Sequence, residues 1–347
     1  MNTRLVLFLC ALGSSSLGQG AGIEFRDITW PRHDKKTGFL EWELHARKAW
    51  PRPNNVYICL YPRLRTYEVV VEGDVKRARE ELRLEANRGT YAHGLAKSVT
   101  QLEGNVKAQV RSDEPTTIFT EKATLTSSWD KTTKAKERRI ETRSDVTIAS
   151  TARTLTGRGM TVMEQSTDKQ GERVLDVSTV KVYQNVRMTI EGEGESDLLP
   201  VIPGSASSPQ GKSAQTVITS AGPLVFDRLA NVARFRNDVT LLRQKTKLVS
   251  DRLTLTFHHV KTEAGMALKP RTMLAEQNVT VSNPDQTFVG DAFAWDRSTA
   301  VGKLTGAPAT MAAPGVDGHA STITFDQKTD TIRYTGNAQV ELELETE

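Results

Sequence analysis

The sequence predicts an all-β chain built from a repeated two-strand unit, and three observations predict it. A short cue recurs along the chain: Gly73-Asp-Val75, Gly104-Asn-Val106, Ser144-Asp-Val146, Gln184-Asn-Val186, Asn237-Asp-Val239 and Gln277-Asn-Val279, with weaker copies at Gly306-Ala-Pro308 and Gly336-Asn-Ala338. Their spacings are 31, 40, 40, 53, 40, 29 and 30 residues, and a fixed period of this kind marks a repeat architecture. After the cue the chain alternates apolar and polar, as in Val106-Lys-Ala-Gln-Val110 and Val186-Arg-Met-Thr-Ile190, the period of a half-buried strand. Thr and Val abound, and no helical apolar period persists beyond two turns.

The cue itself reads as a turn. Asn, Asp and Gly tolerate positive φ, so each copy is expected to open a new strand. Midway through the unit a second strand often ends in an aromatic-Asp pair, as in Ser-Trp-Asp130, Val-Phe-Asp227, Ala-Trp-Asp296 and Thr-Phe-Asp326. Asp is a good turn initiator, and the chain returns from it to the next cue. One unit is thus two strands joined by turns. An ordinary sandwich has loops of variable length and rarely repeats a cue at fixed distance. A parallel β-helix has shorter and stricter rungs. Stacked repeats fit better than either.

Composition sets the outer bounds. The chain has 347 residues, 37% hydrophobic and 25% charged. Counting Gly and omitting Tyr, the apolar share is about 42%, just under the usual range. That supports a thin core and excludes a polytopic membrane protein, a collagen-like chain and a disulfide scaffold. Lys+Arg of 46 against Asp+Glu of 42 leaves +4, with the signs interspersed, so no nucleic-acid partner is indicated.

Residues 1–20 read as a signal peptide. Arg4 supplies the positive region, Leu5 to Leu12 the short apolar region, and Gly13 to Gly18 the small residues of a cleavage zone. The apolar run is too short to span a bilayer, which disfavours inner-membrane tethering. Export is expected, with Cys59 the one thiol left after cleavage and a buried strand residue rather than a reactive group. Residues 191–215, rich in Gly, Pro and Ser, read as a flexible loop or linker. It separates a β domain at 21–190 from β repeats at 216–347, and the same cues in both parts leave one continuous sheet as the other reading.

Signals for chemistry are weak. Gly204 to Ser213 superficially resembles a phosphate-binding loop, but six residues separate Gly204 from Gly211 where the motif needs four. His258-His259 would point to opposite faces of a strand and cannot chelate one metal. Carboxylates fall mostly at turns, where turn chemistry explains them better than a glycosidase pair does. The sequence points to a non-enzyme, without cofactor or metal.

With these residues in view, the chain resembles the periplasmic lipopolysaccharide-transport families, the OstA-like (LptA) fold and its relative LptC. Ala320 to Val340 and Leu224 to Val239 look like OstA-like repeats, and Gly38-Phe-Leu-Glu-Trp-Glu-Leu-His-Ala-Arg-Lys-Ala49 is similar to the LptC opening hairpin. Leu60 to Tyr67 and Leu102 to Val106 continue that likeness. The resemblance implies antiparallel strands stacked into an elongated V or open jelly roll, with an apolar groove that holds lipid A acyl chains. The implied function is binding lipopolysaccharide or a related envelope lipid and bridging it toward the outer membrane. The alternative is a structural or interaction scaffold of the envelope with the same β-stack and a sealed core.

Groove-or-core candidates are Val106, Val110, Val146, Ile148, Val186, Met188, Ile190, Val239, Leu241, Leu255, Val279, Val281, Ile323 and Phe325. The last strand alternates through Val340, Leu342 and Leu344 on one face and Glu341, Glu343 and Glu345 on the other. Its glutamates either protect a free edge from aggregation or frame a pairing edge. The family favours pairing, with another OstA-like Lpt protein or head-to-tail with a second copy.

Overall fold

The computed structural model describes residues 23–34, 38–72, 75–94, 97–111, 115–130, 132, 135–169, 172–191, 215–262 and 265–342. All the regular structure within them is β, and it forms one antiparallel sheet. The chain opens with β1 (Phe25–His33), β2 (Leu40–Arg52), β3 (Val56–Leu60), β4 (Arg63–Glu72), β5 (Val75–Glu85) and β6 (Arg88–His93). Five long strands follow: β7 (Lys97–Val110), β8 (Thr116–Asp130), β9 (Ala135–Ala149), β10 (Arg153–Lys169) and β11 (Glu172–Ile190). The remainder is β12 (Thr216–Ser220), β13 (Leu224–Asp227), β14 (Val232–Arg243), β15 (Thr246–Thr262), β16 (Gly265–Ser282), β17 (Thr287–Asp296), β18 (Val301–Ala313), β19 (Val316–Asp326), β20 (Thr331–Thr335) and β21 (Gln339–Leu342).

From β7 to β11 and from β14 to β19 each strand pairs with the next. A flat strand of 15 residues would run about 50 Å, and these strands do not stay flat. The repeated cue lies inside them. In β7 the register slips between Glu103 and Val106, and Gly104 and Asn105 both take positive φ. In β14 the slip falls between Arg236 and Val239 around Asn237 (φ 64) and Asp238 (φ 51), and in β16 between Glu276 and Val279 around Gln277 and Asn278. The sequence reading placed a turn here that opens a strand. Two successive left-handed residues instead bulge and bend the strand without ending its ladder. The other copies differ. In β11 only Asn185 takes positive φ, and in β9 and β18 neither of the first two cue residues does. The first and last copies fall between strands, β4 ending at Glu72 before Val75 opens β5 and β20 ending at Thr335 before Gln339 opens β21.

The bends line up across neighbouring strands, so the sheet folds along a corner into two layers. One layer holds the segments after the cue together with β4, β5, β12 and β21; the other holds those before it together with β3, β6, β13 and β20. Inward residues keep their parity through the cue, as in Ala233, Phe235, Val239 and Leu241 of β14. In the intervening strands parity flips at the corner, where residues an odd number of positions apart are both buried: Ser250 and Leu253 in β15, Phe288 and Phe293 in β17, and Ala320 and Ile323 in β19.

The far ends of the units close as the aromatic-Asp pairs suggested. Asp227 Oδ1 accepts from the N–H groups of Leu229 and Ala230, each at 3.0 Å, and Asp326 Oδ1 accepts from those of Lys328 and Thr329 at 3.0 and 3.2 Å. Asp296 and Asp130 bond the amides two residues on. These are Asx turns, which satisfy amides a hairpin tip would leave unpaired.

β11 pairs with both β12 and β13, so one ladder joins the parts on either side of residue 200. Residues 192–214 of the expected linker and the expected signal peptide at 1–20 lie outside the described residues.

The corner residues make a direct test. Asn185 has φ 51, a region costing an ordinary L-residue about 1–2 kcal/mol. Asn185→Val should therefore destabilise by about that amount while Asn185→Gly should not, measured by urea unfolding.

Candidate functional site

The interior between the layers is the feature that runs through the whole molecule. The apolar core forms one contiguous cluster from Leu44 in β2 to Phe325 in β19. Of the groove-or-core candidates, Val106, Val146, Val186, Met188, Ile190, Val239, Leu241, Val279 and Val281 are buried in the layer after the cue. Leu255, Ile323 and Phe325 are buried in the facing layer. Val110 and Ile148 are half-buried and pack against the same cluster. All fourteen therefore share one interior.

The sequence reading missed most of the facing layer. Leu102, Val182, Phe235, Ala275 and Leu304 are buried, and each sits two residues before the start of a cue. Period-two parity carried backward through the cue finds them. Treating the cue as the start of a strand hid them.

Side chains fill the space between the layers. Phe288 meets Phe325 edge-on across the interior with centroids 4.6 Å apart, and Phe293 packs on Phe325 at 6.1 Å. Gly318 in β19 is part of the same fit, since a Cβ there would come within 2.8 Å of the Tyr334 ring. One small void of about 20 Å³ lies among Glu81, Leu82, Val110, Arg138, Ile140, Val162 and Glu164. A larger recess of about 490 Å³ sits at the corner of β7, β8 and β9, where Phe119 is exposed between Lys107, Glu121, Asp145 and Thr147.

The two ends differ. At the N-terminal end Trp30 stacks near Tyr57 at 4.8 Å and Trp42 meets Tyr91 at 5.4 Å. Cys59 lies inside this end at 1% exposure, and burial pushes its thiol up to about 11, which keeps it protonated and unreactive at neutral pH. At the C-terminal end β19 pairs with β20 in one layer and β21 in the other. Val340 and Leu342 of β21 face Gly318 and Val316 across the ladder yet are 45% and 65% exposed. The apolar interior therefore reaches solvent here, beside a strand that among the described residues pairs on one side only. Leu344 lies outside the described residues.

No group of three or more His, Cys, Asp or Glu able to hold a metal occurs among the described residues. His258 and His259 lie consecutively in β15, opposite Lys269 and Leu268. A polar cluster on β2, β4 and β5 joins Arg65 to Glu43 at 3.0 Å and Arg83 to Glu80 at 3.0 Å, with the Tyr67 hydroxyl donating to Glu43 at 3.0 Å. Burial and the neighbouring Glu43 raise the Tyr67 phenol above its ordinary value, so it stays a neutral donor. The cluster is a partly buried ion-pair network in which the Arg65 and Arg83 Nε groups find no hydrogen-bond partner.

No protein-family model matches the chain, and no curated protein matches it. Among solved structures, LptH of Pseudomonas aeruginosa is similar; it is the LptA-homologous periplasmic component of that organism's lipopolysaccharide transport device. The likeness covers 37% of this chain and 95% of LptH, at 14% identity and a TM-score of 0.31.

The packed interior predicts a specific cost. Truncating Phe325→Ala should destabilise by about 3–5 kcal/mol, read from urea unfolding, because the facing rings cannot collapse into the gap. The same variant should gain affinity for a small apolar probe such as a naphthylamine dye, since a cavity lined by Phe288 and Phe293 stays dry.

Proposed function

We propose that this protein carries or bridges an envelope lipid, lipopolysaccharide or a relative of it, between the layers of its folded sheet. The observation that supports this most directly is one apolar interior, continuous through the repeats and uncovered at Val340 and Leu342. A globular protein of this size could bury its core around a centre; a stack of identical two-strand units extends it along an axis instead. That is the shape a chain-like ligand needs. Burying a saturated chain of about a dozen carbons gains on the order of 10 kcal/mol before costs, at about 0.8 kcal/mol per methylene.

The filled space between the layers means that a lipid must displace side chains or part the layers. Carriage then involves an opening motion. The outer edges of β20 and β21, which pair with no further strand among the described residues, support pairing with the β1 edge of a second copy or with another OstA-like protein, which would lengthen the interior. The resemblance of the repeats to periplasmic transport proteins supports a periplasmic location and a place in outer-membrane biogenesis.

The second reading is a non-lipid scaffold of the envelope. Interdigitated rings such as Phe288 and Phe325 favour it, since they fill the space a ligand would use.

Photo-crosslinking separates the two. A photoreactive residue at Val146 or Val239, both buried in the interior, should yield lipopolysaccharide adducts in cells. Adducts to protein alone at both positions would favour the scaffold. Deleting residues 339–347 should abolish head-to-tail association in sedimentation experiments while leaving the far-ultraviolet spectrum of the sheet intact. Unchanged sedimentation of an associating full-length protein would remove the pairing role of this edge.

A further inference from the structure

The layers are joined in two different ways. Aromatic side chains meet across the interior at both ends, Phe288 on Phe325 in the C-terminal half and Trp42 on Tyr91 at the N-terminal end. In the N-terminal half, on the side away from the corner, charged groups reach from one layer to the other. Arg32 of β1 lies 3.1 Å from Glu41 of β2 and 3.4 Å from His93 Nε2 in the opposite layer. Glu41 also receives Lys136 of β9 from that layer at 3.3 Å. Next along, Arg138 of β9 crosses to Glu81 of β5 at 2.7 Å, with Glu164 beside it at 3.7 Å. Arg228 pairs with Glu164 at 2.9 Å, and the Arg153 guanidinium lies over the Phe226 and Phe257 rings at 5.7 and 5.3 Å.

The row stands directly in front of apolar surface. Behind Arg138 and Glu81 the two layers face each other through Leu82 and Val110 on one side and Ile140 and Val162 on the other, around the 20 Å³ void. Burial disfavours charge on Arg138, but Glu81 and Glu164 outweigh it and hold the guanidinium charged. The outer members, Lys136, Glu41 and Glu81, keep about a fifth to a third of their side-chain surface exposed. An apolar seam must expose greasy surface to part. Ion pairs part by exchanging one partner for water or for another ion, and an anion that satisfies the cations removes the main penalty, an unpaired buried charge.

We propose that this row is the gate to the interior, opened by an amphiphile whose anionic headgroup takes Lys136 and Arg138 from Glu41 and Glu81 while its chain passes between the layers. The inference rests on the lipid-carrier reading and adds the entry point and the charge of the ligand. A neutral amphiphile of the same chain length has nothing to exchange and leaves the gate shut.

Cys59 is a native reporter of opening, since it is buried inside this half. The experiment uses the full chain carrying Cys10→Ser and follows labelling of Cys59 by N-ethylmaleimide under native conditions. Dodecyl phosphate below its micelle concentration should accelerate labelling by about tenfold or more, the equivalent of one charge-assisted hydrogen bond lost, and dodecyl maltoside should not. Combining Glu41→Gln with Glu81→Gln should raise the rate without any amphiphile and erase the difference between the two. Lys136→Met, which keeps an apolar stem and removes one charge, carries the same expectation should the double variant fail to fold. Glu103→Gln, which breaks an exposed pair with Lys122, should change nothing.

Equal acceleration by both amphiphiles, or by neither, overturns the gate. So does an unchanged basal rate in the gate variants. The two readings fail separately: lipid captured at Val239 with no charge discrimination at Cys59 removes the gate alone, whereas charge-selective opening with no lipid captured removes the carrier.

Discussion

The structure depends on one constraint, a break of register in the middle of each long strand, made in β7, β14 and β16 by a pair of left-handed residues. At Asn237-Asp238 and Gln277-Asn278 both residues take positive φ, and the strand bends there without losing its neighbours. Each long strand can then serve both layers. The alternation that would give a flat sheet one greasy face instead gives two facing halves of a single core. Stacking repeats this outcome, so the interior lengthens with every unit and never becomes a centre.

That arrangement explains how a modest apolar inventory suffices. Each strand spends its inward positions twice, once on either side of the corner, and polar residues stay outside. It also explains why the ends matter more than in a closed barrel. Among the described residues the terminal strands pair on one side only, and β21 shows the consequence in the exposure of Val340 and Leu342.

The interior is closed by unlike materials along its length. Aromatic rings meet between the layers at both ends, and in the N-terminal half ion pairs and hydrogen bonds from Arg32 to Arg138 span them as well. Rings are costly to separate in water; paired charges can exchange partners.

The sequence by itself determined the β class, the two-strand repeat, the Asx hairpins at Asp227, Asp296 and Asp326, and the inward set after each cue. These are local or periodic properties, fixed by side-chain preference and by parity along one strand. The meaning of the cue was decided only by tertiary structure, because Asn tolerates positive φ equally in a hairpin and in a bulge, and only the register of the neighbouring strands tells them apart. The facing layer with Phe235 and Leu304, and the pairing of Glu81 with Arg138 across 57 positions, belong to the same class. Both follow from where the corner brings distant segments together, and no spacing within a single strand encodes that.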